Sequence, residues 1–149
     1  MNSDKFNLIR FLDAQRDYSK ALKEISNCKK CGHWMWYIFP QVKGLGKSYF
    51  ATYYAISSLK EAKSYLNHTI LGVRIVNCCE SLIECSNSNA SDIFGYPDDI
   101  KLNSSMTLFA YISEPESIFH KVLDKFFGDK NDQLTINIIE TDFLKNVTN

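Results

Sequence analysis

His33-Trp-Met-Trp-Tyr-Ile-Phe-Pro-Gln41-Val-Lys-Gly44-Leu-Gly46-Lys-Ser48 is the stretch on which the fold turns. Five rings (His33, Trp34, Trp36, Tyr37 and Phe39) fall within seven positions, and the run stops at Pro40. Both tryptophans of the chain are here. An amphipathic helix buries one stripe and has no use for rings at this density. A surface loop would expose them at a large apolar cost. The run therefore reads as a buried central segment, either a short strand or a buried helical turn, whose glycine-bearing end opens onto a pocket. Pro40 biases Phe39 away from the helical region.

On the N-terminal side, Leu8, Phe11, Leu12, Tyr18, Ala21, Leu22 and Ile25 recur at three- and four-residue steps. That spacing predicts one amphipathic helix over 5–26, capped by Ser3 or Asp4. On the C-terminal side, Ser48 caps a helix through Tyr49–Ile56, and Ser58-Leu-Lys-Glu61 has the form of a capping box. Thr69 is placed to cap a helix carrying Leu71, Ile75, Cys79 and Leu82. Asp92–Gly95 reads as one helical turn closed by glycine. Pro97 opens a helix with Leu102, Met106 and Phe109, and Pro115 opens another that Gly128 stops. Asp132 caps the last. No alternating strand pairs and no internal repeat are visible. The expected class is all-α, a single bundle of about seven helices over residues 4–145 around an aromatic-rich central segment.

A chain of 149 residues fits one domain with a real core. Seventeen basic and seventeen acidic side chains balance, so no global field draws the protein to nucleic acid or to an acidic membrane, and neither is expected as a partner. A local basic patch stays open, because Lys29, Lys30, Lys43 and Lys47 flank the rings. No apolar run approaches the ~20 residues that span a bilayer. The first residues lack the apolar core of a signal peptide, so a cytoplasmic location is expected. Five cysteines are an odd number, and free thiols are the expected state in a reducing compartment. Cys28-Lys-Lys-Cys31-Gly-His33 has the spacing of half a zinc site, but no second pair completes it, so no metal is assigned. No cofactor fingerprint is present either.

Three groups of polar residues stand out. His33 and Gln41 bracket the rings, and Trp34 and Trp36 offer flat faces on which a base or similar ring would stack. Gly44, Gly46 and Ser48, just before a helix, resemble a crude anion cradle, though not a P-loop. On the helix after Pro97, Asp98, Lys101 and Ser105 form one strip beside an apolar one, with Ser104 adjacent. The structural alternatives are ring packing in the core, a glycine turn with a serine cap, and a solvated ion pair.

Phe6–Gln15, His33–Gln41, Gly44-Leu-Gly46 with Ser48, His68 with Leu71-Gly72, Ile93–Gly95 with Pro97-Asp98, and Lys101-Leu with Ser104-Ser-Met-Thr-Leu-Phe109 resemble the DUF1810 family of unknown function. The resemblance runs from about residue 4 to about residue 140 and implies a mostly helical single domain without implying an activity. Asp13-Ala-Gln15, the segment Gly46–Thr52 and His68 with Leu71 are more distantly similar to the NADAR superfamily. That likeness implies ligands related to NAD or ADP-ribose.

The resulting expectation is a hydrolase that cleaves an N-glycosidic bond in a nucleotide-like or ADP-ribose-like, phosphate-containing small molecule. Asp98 would stabilise the sugar cation, and Lys101 or His33 would handle protons or phosphate. Trp34, Trp36, Gln41, Gly44, Gly46, Ser48, Ser104 and Ser105 would bind the substrate. The alternatives are a non-catalytic nucleotide sensor using the same pocket, and a protein-interaction domain with all its rings in the core.

Overall fold

A computed structural model describes residues 4–147. Asp4 begins the fold by accepting the Leu8 and Ile9 N–H groups at 2.6 and 2.8 Å. Ser3, the other expected cap, lies outside the described residues. The expected helix over 5–26 is broken into α1 (Ile9–Ala14), a 3-10 turn (Gln15–Asp17) and α2 (Tyr18–Ser26). The break falls where Gln15 turns inward. Its amide donates to the Tyr37 carbonyl at 2.7 Å and to the Tyr65 hydroxyl at 3.0 Å, and accepts from Arg74 at 3.3 Å. A buried amide tolerates this only with its partners in place.

The aromatic run forms the short helix α3 (Met35–Ile38), a buried turn and not a strand. Pro40 ends it. Val42 then meets Ile56 in an isolated parallel bridge. The Lys43 N–H donates to the Ile56 carbonyl at 2.9 Å, and the Ile56 N–H to the Gln41 carbonyl at 2.8 Å. This clamp closes the base of a loop that carries α4 (Tyr49–Tyr53). Ser58 caps α5 (Leu59–Asn67) by accepting the Glu61 N–H at 3.0 Å. The next helix, α6 (Leu71–Glu84), is capped by His68 and not by Thr69. His68 Nδ1 accepts the N–H groups of Ile70 and Leu71 at 3.1 and 3.2 Å.

Helices α7 (Ala90–Phe94), α8 (Asp98–Tyr111) and α9 (Ile118–Phe127) follow, and Gly128 ends α9 in the left-handed region at φ +58°. Asp132 caps α10 (Gln133–Ile138), which runs through a π-helical turn (Ile139–Phe143) into α11 (Leu144–Val147). The described residues hold no strand, and the chain is all-α. Helical segments outnumber the expected seven because the first helix and the last are each interrupted, and because the aromatic run (α3) and the turn before Gly95 (α7) are short helices of their own.

The central element is α8. Every residue from Ser104 to Ala110 is buried, so this stretch is enclosed all round and not on one stripe, with Ser104, Ser105 and Thr107 its polar members. It packs against α9, α7, α10 and α5. Two polar devices tie the outer segments down. The Arg10 guanidinium donates to the carbonyls of Phe6, Asn7, Tyr53 and Ala55 and to Glu61, 2.7 Å away. Both members of that ion pair are buried, and the carbonyls satisfy the donors that the carboxylate leaves over. The second device is a disulfide between Cys28 and Cys85. It corrects the expectation of free thiols: Cys31, Cys78 and Cys79 are free, but Cys28 is not. With Cys28 committed, the half zinc site loses one of its two sulfurs.

Candidate functional site

The Gln41–Ser48 loop and the first turns of α8 face each other across a cavity of about 350 Å³. Gln41, Gly46, Lys47 and Ser48 line one wall; Lys101 and Ser104 line the other, with Asp132 beside Ser104. Leu45, Tyr96, Ile100 and Leu134 supply apolar surface. A few polar groups set in apolar walls is the usual composition of a small-molecule site.

The loop is shaped by two glycines. Gly44 has φ +105°, which side-chain-bearing residues rarely adopt. A Cβ at Gly46 would sit 2.6 Å from the Ala51 Cβ, so the chain passes too close to α4 for any other residue. Ser48 caps α4 by accepting the Ala51 N–H at 3.1 Å. Its oxygen is thus engaged as an acceptor while its O–H can still donate, and a helix of five residues has little dipole to offer an anion. The expected cradle is a capped glycine turn whose cavity-facing charge is Lys47.

The electrostatics centre on Lys101. Its ammonium lies 4.9 Å from the centre of the Trp36 ring and 3.6 Å from Asp98. Asp98 is bound more tightly by Lys30, at 2.8 Å, whose side chain is almost fully buried. Two ammonium groups therefore share one carboxylate. Lys30 also lies over the Trp34 ring at 5.1 Å and donates to the Gly32 carbonyl. Beside Ser104, Asp132 accepts from the Ser104 hydroxyl at 3.0 Å and from the Thr135 hydroxyl at 2.6 Å, and its N–H donates to the Thr107 hydroxyl at 2.9 Å.

The expected site residues divide. Trp36, Gln41, Gly46, Ser48, Lys101 and Ser104 are brought together at or beside the cavity. Gly44 shapes the same loop. Trp34 offers no stacking face: it is buried against Phe39 and Phe94, and its indole N–H donates to Glu24 at 2.8 Å. The Glu24 carboxylate also takes the Cys31 and Gly32 N–H groups. Burial alone would raise its pKa, but these bonds, the indole and nearby Lys30 hold it below the usual carboxylate value. His33 is exposed and does not line the cavity. Asp98 is absorbed by its two lysines and stays outside the lining. Ser105 is one position off: it is fully buried in the core, and its hydroxyl has no partner among the described residues. Lys30, Lys47 and Asp132 were not singled out as site residues. Lys30 and Lys47 carry a sequence signal, since both flank the rings. Asp132 reads only as a helix cap.

A family model described as a protein of unknown function (DUF1810) matches residues 5–139. The crystal structure of the conserved hypothetical protein Rv1873 from Mycobacterium tuberculosis is similar over 91% of this chain and 97% of that one. Their sequence identity is 43% and the TM-score is 0.88. No curated protein matches the chain.

Proposed function

The chain belongs to the DUF1810 family, which carries no assigned activity, and from its own geometry we propose that it binds a small phosphate-bearing metabolite of nucleotide or ADP-ribose type between the Gln41–Ser48 loop and α8. The observation that carries this reading is the sharing of Asp98 by Lys30 and Lys101 at the edge of the cavity. One carboxylate cannot neutralise two ammonium groups, and Lys47 adds a third across the gap. An anionic ligand group supplies what is missing. The apolar lining from Leu45, Tyr96 and Leu134 takes the ring of such a ligand.

Hydrolysis of the glycosidic bond is the second reading, and Asp132 favours it. It is the single carboxylate among the lining residues, and Ser104 and Thr135 fix its orientation. A carboxylate there would stabilise the sugar cation formed as the base leaves with the carbon–nitrogen bonding pair; water would then add to that carbon, and the proton it loses would end on the departed nitrogen. The role assigned to Asp98 in the sequence moves to Asp132 in this version.

Titration with AMP, ADP-ribose and ribose 5-phosphate, followed by Trp36 fluorescence, tests the binding reading. A saturable change that Lys101→Met abolishes supports it. No response from any of the three overturns it. Chromatography of the incubated ligands then separates turnover, which Asp132→Asn must abolish, from binding alone.

A further inference from the structure

Between Glu24 and Glu61 the chain carries no carboxylate side chain, yet it carries Lys29, Lys30, Lys43, Lys47 and Lys60. A chain that is neutral as a whole therefore contains a long segment of one sign. Its exposed aromatic part is α4. Tyr49 is 72% exposed, Phe50 48% and Tyr53 42%. Tyr49 and Tyr53, one helical turn apart, stack with their planes 7° apart and their centres 5.7 Å apart. Phe50 leans on Trp36 at 5.2 Å, and Trp36 carries the Lys101 ammonium. Rings and ammonium groups thus form one continuous strip, with Lys43 and Lys47 exposed in the loop that precedes α4.

We propose that this strip docks single-stranded nucleic acid. Unpaired bases present flat faces to the stacked tyrosines and to Phe50, and the phosphates that join them meet Lys43, Lys47 and Lys101. Successive aromatic platforms beside a basic track are the means by which single strands are held without sequence readout. A duplex hides its base faces and gains nothing from the rings. A membrane surface fits less well: a helix of five residues offers no extended apolar face, and two of its three exposed rings carry hydroxyls. Overall neutrality removes long-range attraction and leaves this local complementarity intact. Tyr49, Phe50 and Tyr53 do not line the cavity, so the tyrosine variants test this surface apart from the metabolite site, whereas Lys47 and Lys101 belong to both.

The test is fluorescence anisotropy of a labelled oligothymidylate of about 12 nucleotides at low salt, with the whole chain. Tyr49→Ala combined with Tyr53→Ala is expected to weaken binding roughly fivefold to a hundredfold, and Tyr49→Phe to retain it. Lys47→Ala is expected to lower the salt slope by about 0.7. Duplex and inorganic polyphosphate should compete poorly. The proposal is overturned if the oligonucleotide does not bind. It is also overturned if polyphosphate competes equally while the tyrosine variants bind as wild type, or if phosphatidylserine vesicles are the preferred target.

Discussion

The Lys101 ammonium lies 4.9 Å above the Trp36 ring while its carboxylate neighbour, Asp98, is held closer by Lys30. The cation is thus positioned by a ring face and by only part of a counter-ion. Lys101→Met should weaken the phosphate-bearing ligand by at least about tenfold, or about 1.4 kcal/mol. The fold should change little, because the Lys101–Asp98 contact is long, at 3.6 Å, and Asp98 keeps its closer partner Lys30. Asp98→Asn should act in the opposite direction on affinity, because it frees both ammonium groups. Calorimetric titration of the two variants checks the signs.

Gly46 is held to glycine by space. Gly46→Val puts side-chain atoms where the Ala51 Cβ already stands, so the loop must move away from α4. A cost of about 1–3 kcal/mol is expected from such overpacking, together with loss of ligand binding. Urea unfolding and titration of the same variant measure the two effects.

Much of the helical framework was legible in the sequence. Asp4, Ser48, Ser58, Gly95, Gly128 and Asp132 all mark helix ends as their chemistry suggests. The interruption at Gln15 was not, because the partners of that amide, Tyr37, Tyr65 and Arg74, come from distant segments. The site was half legible. Trp34 and Trp36 are two residues apart in one turn of helix, so composition could not say which ring packs in the core and which meets the cation. Ser104 and Ser105 pose the same problem. On a helix buried all round, periodicity does not identify the outward-facing residue. The Asp98–Lys30 pair and the Cys28–Cys85 bond both join residues far apart in the chain, and nothing local signals either.

Glu24 gives a pH signature. Its folded pKa is lowered, so its contribution to stability is fully present above the unfolded carboxylate value of about 4.3. That contribution is lost as pH falls through the lower, folded value. Wild type should therefore lose stability on acidification more steeply than Glu24→Gln, which should be less stable near neutrality. Urea midpoints recorded from neutral to acid pH for both proteins test this.

The Cys28–Cys85 bond closes a loop with a sequence separation of 57. Chain entropy gives it about 4 kcal/mol. Reduction, or Cys85→Ser, should lower the denaturant midpoint accordingly, and Cys31→Ser should not. Mass spectrometry of the alkylated native protein should find Cys31 labelled and the other two sulfurs joined.

Removing one partner of the Arg10–Glu61 pair leaves a buried charge without its counter-ion. Arg10→Met should destabilise the chain by about 3–5 kcal/mol without the ligand specificity seen at Lys101. Thermal unfolding of the variant provides the measurement.

A crystal structure of the protein with AMP tests the central claim most directly. The phosphate should lie within about 3 Å of the Lys101 ammonium, between Lys47 and α8, with the base against the apolar wall of the cavity. AMP bound elsewhere, or a cavity left empty by AMP, ADP-ribose and ribose 5-phosphate alike at saturating concentration, would contradict the account.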